Sequence, residues 1–299
     1  MSVIKRLWVM LQRTLFRFTG TGRAGGSSPH NWPAFIAKVG HKWYPNESIT
    51  EQLLTEIGEL LGLRMAQSEL RLVNGQLRLC SRYFLNPGES LVHGAELFIG
   101  YLEDKELVKE IEDQNEARNF FTFQFVEDAL LNRFPDESYE IHEDFVRMLT
   151  FDAIVGNNDR HYYNWGVVVH PEGLSKPKFS PIYDTARALF WNMSDARIAE
   201  MVNGSDYGKR FKKYAEKSRP KIGWDACFDI NHFELIGKIA RASGNCAEIV
   251  GRLTTKPFLE RVERLLDETK FVHLLTFERR KAILDCLSFR LHQIRVQLD

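Results

Sequence analysis

The sequence predicts an α+β chain of two lobes, a small β-rich N-terminal lobe followed by a mainly helical C-terminal lobe. Three observations predict it. Apolar residues alternate through "SELRLV" and "QLRLCSRYF" on either side of Asn74-Gly75, which marks a β-hairpin. Downstream of about residue 105 the apolar spacing becomes helical. Between the two, "GYLEDKELVKEIEDQNE" (Gly100 to Glu116) is acidic and polar. The boundary is drawn there, giving lobes of 1–104 and 105–299.

The elements follow in order. "SVIKRLWVMLQRTLFRF" spaces Ile4, Leu7, Trp8, Leu11 and Leu15 among Lys5, Arg6, Arg13 and Arg17. That pattern fits a helix or strand packed on its own domain, and less well a basic helix lying on a membrane surface. It is no signal peptide, because arginines interrupt the apolar stretch. "TGTGRAGGSS" (Thr19 to Ser28) is a Gly/Ser-rich loop. "WPAFIAKVG" (Trp32 to Gly40) reads as a strand carrying Lys38. A helix runs from Ser48 or Thr50 to Leu61, with Ile49, Leu53, Ile57, Leu60 and Leu61 on one face and Gly62 placed to end it. The hairpin comes next.

In the second lobe, "HEDFVRMLTFDAIVG" reads as a helix that turns Phe145, Met148 and Leu149 inward and stops at Gly156. "WGVVVH", the turn "PEG" and "PKFSPIYD" make a second hairpin. "INHFELIGKIARAS" and "FERRKAILDCLSFRLHQIRVQL" are helical.

Composition narrows the function classes. The 299 residues are 44% hydrophobic and 27% charged, with a formal net charge of zero. A balanced charge gives no case for direct DNA binding. No apolar run approaches the roughly 18 residues of a membrane span. Cys80, Cys227, Cys246 and Cys286 lie far apart, without metal-ligand spacing, as expected of free thiols in a reducing compartment.

The chemistry concentrates in "IVGNNDRHYYNWGVVVH" (Ile154 to His170). An Asp five residues before an Asn, on a loop after a helix, suits phosphoryl transfer. That reaction needs a residue to orient the attacking hydroxyl, oxygen ligands for Mg²⁺ and a cation on the phosphates. Asp159 can accept the hydroxyl proton and Asn164 can offer its carbonyl oxygen to Mg²⁺. The hairpin after Asn164 can return Asp184 as a further metal ligand. Arg160 and His161 would brace the loop, with His161 bonding the backbone near Asp184.

"GNNDRHYYNWG" followed by "PIYDTA" resembles the catalytic loop and metal-binding segment of the HipA-like serine/threonine kinases, the toxin kinases of bacterial toxin–antitoxin systems. It is especially similar to their compact, CtkA-like members. The phosphatidylinositol kinases share the D-R-H-x-x-N core. The resemblance implies a two-lobed protein-kinase-like fold, ATP and Mg²⁺ as cofactors, and a protein hydroxyl as acceptor. A lipid or small-alcohol kinase of the same fold, or a degenerate kinase acting as a binding module, are the alternatives.

By the resemblance, Lys38 is the nucleotide-binding lysine. Glu51, or else Glu47, is the helix glutamate that holds it. "CSRYFL" (Cys80 to Leu85) is the hinge, where Arg82, Tyr83 and Phe84 frame adenine or simply pack. The Gly/Ser loop covers the phosphates through Gly25, Gly26 and Ser27, and Ser27 and Ser28 are candidates for autophosphorylation. It is not a P-loop, since no Walker pattern is present. "GKRFKKYAEKSRPKIGWD" has seven Lys or Arg between Lys209 and Lys221, either a docking surface for an acidic partner such as a tRNA-bound synthetase or a solvated loop. The extra N-terminal subdomain of full-length HipA-like toxins has no counterpart here, so an accessory protein or antitoxin is an expected partner. A bacterial cytoplasmic location is implied, or export as an effector into a host cell.

Overall fold

The computed structural model describes residues 14–17 (as backbone), 34–38, 44–73, 75–114, 116–227 and 229–298. The Gly/Ser loop, with Gly25, Gly26, Ser27 and Ser28, lies outside the described residues, as does the N-terminal segment apart from 14–17. The architecture is mixed α/β, mostly helical, with two small antiparallel sheets.

The first sheet has four strands: β1 (Thr14–Arg17), β2 (Ala34–Lys38), β3 (Ser68–Val73) and β4 (Gln76–Arg82). Their spatial order is β1-β2-β4-β3. Thr14–Arg17 is thus a sheet strand, one of the two packed states its sequence allowed. The β3–β4 hairpin pairs Val73 with Gln76, and Gly75 takes φ +77° in the left-handed region that a tight turn needs. In β2 the register pairs Ala37 with Cys80 and Lys38 with Leu79. Directly opposed residues share a face, so Lys38 shares Leu79's face and Phe35, Ala37 and Cys80 form a small cluster on the other.

Helix α1 (Asn46–Leu60) packs on β3 and β4. It starts two or four residues before the Ser48 or Thr50 that the sequence suggested. Gly62, at φ +74°, donates to Glu59 O and closes it where expected.

The second sheet joins β5 (Ser90–His93), β6 (Gly166–Val169) and β7 (Lys178–Phe179). The expected hairpin is present as β6–β7, but β7 is only two residues long and β6 gains a partner, β5, from more than seventy residues upstream. Leu91 and Val92 face Val168 and Val167, so an apolar strand that lacks a long hairpin mate finds one at a distance.

The remainder is helical. α2 (Gly94–Leu102), α3 (Lys105–Asp113), α4 (Ala117–Phe120) and α5 (Phe123–Arg133) precede the long α6 (Ser138–Val155). α7 (Asp195–Asn203) and α8 (Tyr207–Lys217) follow the second sheet. α9 (His232–Ala242), α10 (Gly244–Leu253), α11 (Pro257–Glu268), α12 (Phe271–Leu274) and α13 (Phe277–Val296) complete the chain. α6 is the axis of the helical part, buried from Phe145 to Val155 except at Arg147 and packed by α5, α9, α10 and α13. The four cysteines are free thiols. Among the described residues no helix is long and apolar enough to cross a membrane.

Candidate active site

The site begins at the end of α6. Gly156 takes φ +75°, and its N–H closes the helix on Asp152 O at 2.8 Å. The chain then leaves as Asn157–Trp165. Asp152 is an acid inside an otherwise apolar helix end, 1% exposed. It is matched by Arg160, which donates from Nε at 2.8 Å to Oδ2 and from Nη2 at 3.1 Å to Oδ1. Asn157 Nδ2 adds a third bond to Asp152 at 2.8 Å. Burial alone would lower the Arg160 pKa, but the Asp152 charge outweighs it and holds the guanidinium firmly protonated.

Arg160 has a second task. Its Nη1 donates to Asn164 O and to Tyr183 O, both at 2.7 Å. One buried cation therefore ties the loop to the residue before Asp184. The expectation gave that tie to His161, and the structure corrects it. His161 Nδ1 instead accepts from Tyr163 N at 3.3 Å, inside its own turn. A five-donor fork can hold a carboxylate and two carbonyls at once, which an imidazole cannot. Burial pushes the His161 pKa below its ordinary value, against the opposing pull of Asp159 and Asp184.

The loop orders its own polar residues. Asp159 N donates to Asn157 Oδ1 at 3.1 Å, and Asn164 Nδ2 donates to Asp159 O at 2.8 Å. With Nδ2 so engaged, Oδ1 is the acceptor that the Asn164 amide has left to offer. Buried His232 donates from Nε2 to Asn157 O at 2.9 Å. Burial, then the nearby Arg290 charge, drive its pKa well below the usual value, so it is neutral.

Asp184 arrives from β7. Ile182 forms a parallel bridge with Met65, and its N–H donates to Arg64 O at 2.8 Å while Ala66 N donates to Ile182 O at 2.8 Å. This bridge, unforeseen from the sequence, fixes Asp184 beside the first sheet. Asp184 itself takes φ +53°, a region only Asn and Asp tolerate well among residues with a Cβ. There its Oδ1 meets Lys38 Nζ in an ion pair. Lys38 also donates to Glu51 Oε1 at 3.0 Å. Between the two glutamates left open, Glu51 is the one at Lys38, while Glu47 lies in the first turn of α1.

Other predicted residues fall differently. Phe84 packs on Tyr183, ring centroids 5.8 Å apart, and so touches the segment carrying Asp184. Tyr83 is exposed and spends its N–H on Ala34 O at 2.8 Å. Arg82 is paired in register with Phe35, on the face of β2 opposite Lys38, and donates to Gln67 Oε1 at 2.9 Å. Strand alternation turns its side chain away from Lys38, so the fold does not bring it to the Lys38 cluster.

One residue went unforeseen. Arg187, three residues past Asp184, sets its Nε 3.1 Å from Asp159 Oδ2 and lies over the Trp191 ring at 5.1 Å. Its position in "PIYDTARALFW" is the only signal the sequence offered.

Comparison with known proteins gives the family and the fold. The model of the HipA-like C-terminal domain matches residues 14–253. A serine/threonine-protein kinase, CtkA, of Helicobacter pylori is 20% identical over 263 residues, spanning 85% of this chain and 76% of that protein. Among solved structures, the H. pylori proinflammatory kinase CtkA superposes with a TM-score of 0.71 at 18% identity, covering 89% of this chain and 90% of that one. The HipA of Shewanella oneidensis MR-1, solved with HipB and operator DNA, gives a TM-score of 0.52 at 15% identity over 99% of this chain and 71% of that one.

Proposed function

The chain belongs to the HipA-like C-terminal domain family, and on that premise we propose that it is an ATP-dependent serine/threonine kinase acting on a protein hydroxyl. One observation carries the reading. Lys38, Glu51 and Asp184, spread over 146 residues, meet in one ion-paired cluster, and Arg160 bonds the Asp159–Asn164 loop to the same segment.

Each residue then has a task. Asp159 takes the proton of the acceptor hydroxyl as its oxygen bonds to the γ-phosphorus. The bond from that phosphorus to the β–γ bridging oxygen breaks, and ADP leaves. Lys38, steadied by Glu51, supplies positive charge to the phosphates. Arg187 holds one carboxylate oxygen of Asp159 and so orients the other. The backbone of the Phe84 region and its ring line the adenine side.

The donor set fits Mg²⁺. Asn164 Oδ1 and the Asp184 carboxylate would hold it as hard oxygen ligands. When bound, the ion neutralises charge on the transferring phosphoryl group. The pairing of β5 with β6 supports a lobe boundary between β4 and β5, upstream of the polar stretch at 100–116.

Ser27 and Ser28 are the proposed sites of autophosphorylation, tested by intact-mass analysis after incubation with ATP. A protein substrate is the proposed partner, with an antitoxin or accessory protein beside it if the chain serves a toxin system. The test of the central reading is transfer of labelled γ-phosphate from ATP–Mg²⁺ to the protein itself or to a cell extract, against Asp159→Asn. Label that is absent in the variant supports it. Equal label in the variant refutes the role of Asp159, and label only in lipid moves the acceptor to a lipid hydroxyl.

A further inference from the structure

The basic stretch after residue 207 is a helix. In α8, Phe211 and Ala215 are buried and turn inward. Lys209, Lys213 and Lys217 are exposed at i, i+4 and i+8, and exposed Lys221 follows four residues later. Their cationic neighbours are neutralised: Arg210 by Glu200 at 3.1 Å, Lys212 by Glu216 at 3.8 Å and Arg219 by Asp229 at 3.8 Å. Among the described residues these four lysines have no ion-pair partner. Like charges at i, i+4 cost a helix stability, so the row is unfavourable unless something anionic meets it. The chain's net charge is zero, so the row is local and does not reflect a generally basic protein.

The helix that carries the row is held to the catalytic loop through its inward face, from two sides. Arg290 donates to Ala215 O at 2.5 Å and to Ala153 O at 2.7 Å, joining α8 to the last turn of α6. Ser218 Oγ donates to Gly156 O at 2.8 Å, three residues before Asp159. On the other side Tyr214 stacks on Phe190 at 4.0 Å between centroids, and its hydroxyl accepts from Phe190 N at 2.6 Å. Phe190 lies three residues beyond Arg187, which pairs with Asp159. Within the helix, which ends at Lys217, the spacing also suits a peptide. Four residues of helix rise about 6 Å, close to the roughly 6.6 Å between alternate residues of an extended strand.

We propose that Lys209, Lys213, Lys217 and Lys221 form a docking ridge for an extended acidic segment of the protein substrate, with acidic residues at alternate positions. The ridge delivers the neighbouring serine or threonine to Asp159. This rests on the kinase reading and adds the substrate class.

The test uses the full chain and a triple variant, Lys209→Gln, Lys213→Gln and Lys217→Gln, all exposed and away from the reacting atoms. Binding of a fluorescein-labelled peptide of alternating glutamate and alanine is read by anisotropy, beside its glutamine counterpart. Phosphate transfer is measured on dephosphorylated casein, an acidic substrate, and on myelin basic protein. The expected result is binding of the acidic peptide about tenfold weaker in the variant and weaker still at high salt. The KM for casein rises by about the same factor, with kcat and transfer to myelin basic protein unchanged. Equal peptide binding by the two proteins overturns the ridge, as does a preference for myelin basic protein. Tighter binding of an oligothymidylate than of the acidic peptide overturns it in favour of a nucleic-acid surface. A wild type that binds the peptide through the ridge but transfers phosphate to neither substrate supports the ridge and counts against the kinase reading alone.

Discussion

Replacing Arg160 by methionine removes the cation on which the loop depends, and the structure sets the scale of the loss. Asp152 is left buried with Asn157 Nδ2 as its remaining polar partner. Breaking a buried pair in this way costs about 3–5 kcal/mol. The Asn164 carbonyl also loses its buried donor, at about 1–3 kcal/mol, and the half-buried Tyr183 carbonyl loses its bond from Arg160. Together these approach the whole stability of an ordinary domain, about 5–15 kcal/mol. Arg160→Met alone is therefore expected to unfold at low denaturant. Asp152→Asn with Arg160→Met removes both charges, and it is expected to be about 1.5–3 kcal/mol more stable than the sum of the single changes implies. Arg160→Lys keeps the charge but cannot span both carbonyls, so it should lose about 1–3 kcal/mol together with nucleotide affinity. The assay is urea unfolding followed by tryptophan fluorescence, with a fluorescent ATP analogue for binding. Additive free energies in the cycle, or an Arg160→Lys protein matching the wild type in midpoint and nucleotide affinity, would refute the reasoning.

Three further outcomes are expected. Arg187→Ala removes a half-exposed ion pair, so stability should change by under about 1 kcal/mol, while kcat falls about tenfold because positioning is part of what a catalytic base contributes; unchanged kcat would discount it. His232 is neutral in the fold but titrates near 6.5 when unfolded, so the unfolded state binds the extra proton and stability falls as pH drops below about 6.5. His232→Gln, which can still donate to Asn157 O, should flatten the stability profile between pH 7 and 5, and an unaltered slope would exclude His232 as its source. Gly166→Ala would put a Cβ 2.3 Å from Val92 O across the β5–β6 ladder, and a loss of about 1–3 kcal/mol is expected from overpacking, read as a lowered melting temperature.

The sequence by itself determined the local elements and picked out the candidate residues. Alternation marked the β3–β4 hairpin, helical spacing marked α1 and α6, and Gly62 and Gly156 ended those helices because a left-handed residue closes a helix at little cost only when it lacks a Cβ. Asp159, Asn164 and Asp184 stood out because they fall within one short polar stretch and its following hairpin, and the structure brings Asp184 to Lys38. Only the tertiary structure decided the long-range terms. β5 found β6 across more than seventy residues, and the Met65–Ile182 bridge carried Asp184 to Lys38. Arg160, and not His161, joined the loop to that segment, and Arg187 came to Asp159. Arg82 was turned away by a register that one-dimensional spacing does not specify. Hydrophobic period and turn chemistry are local and can be read in one dimension, whereas which buried charge meets which carbonyl depends on how packed elements bring distant backbone together.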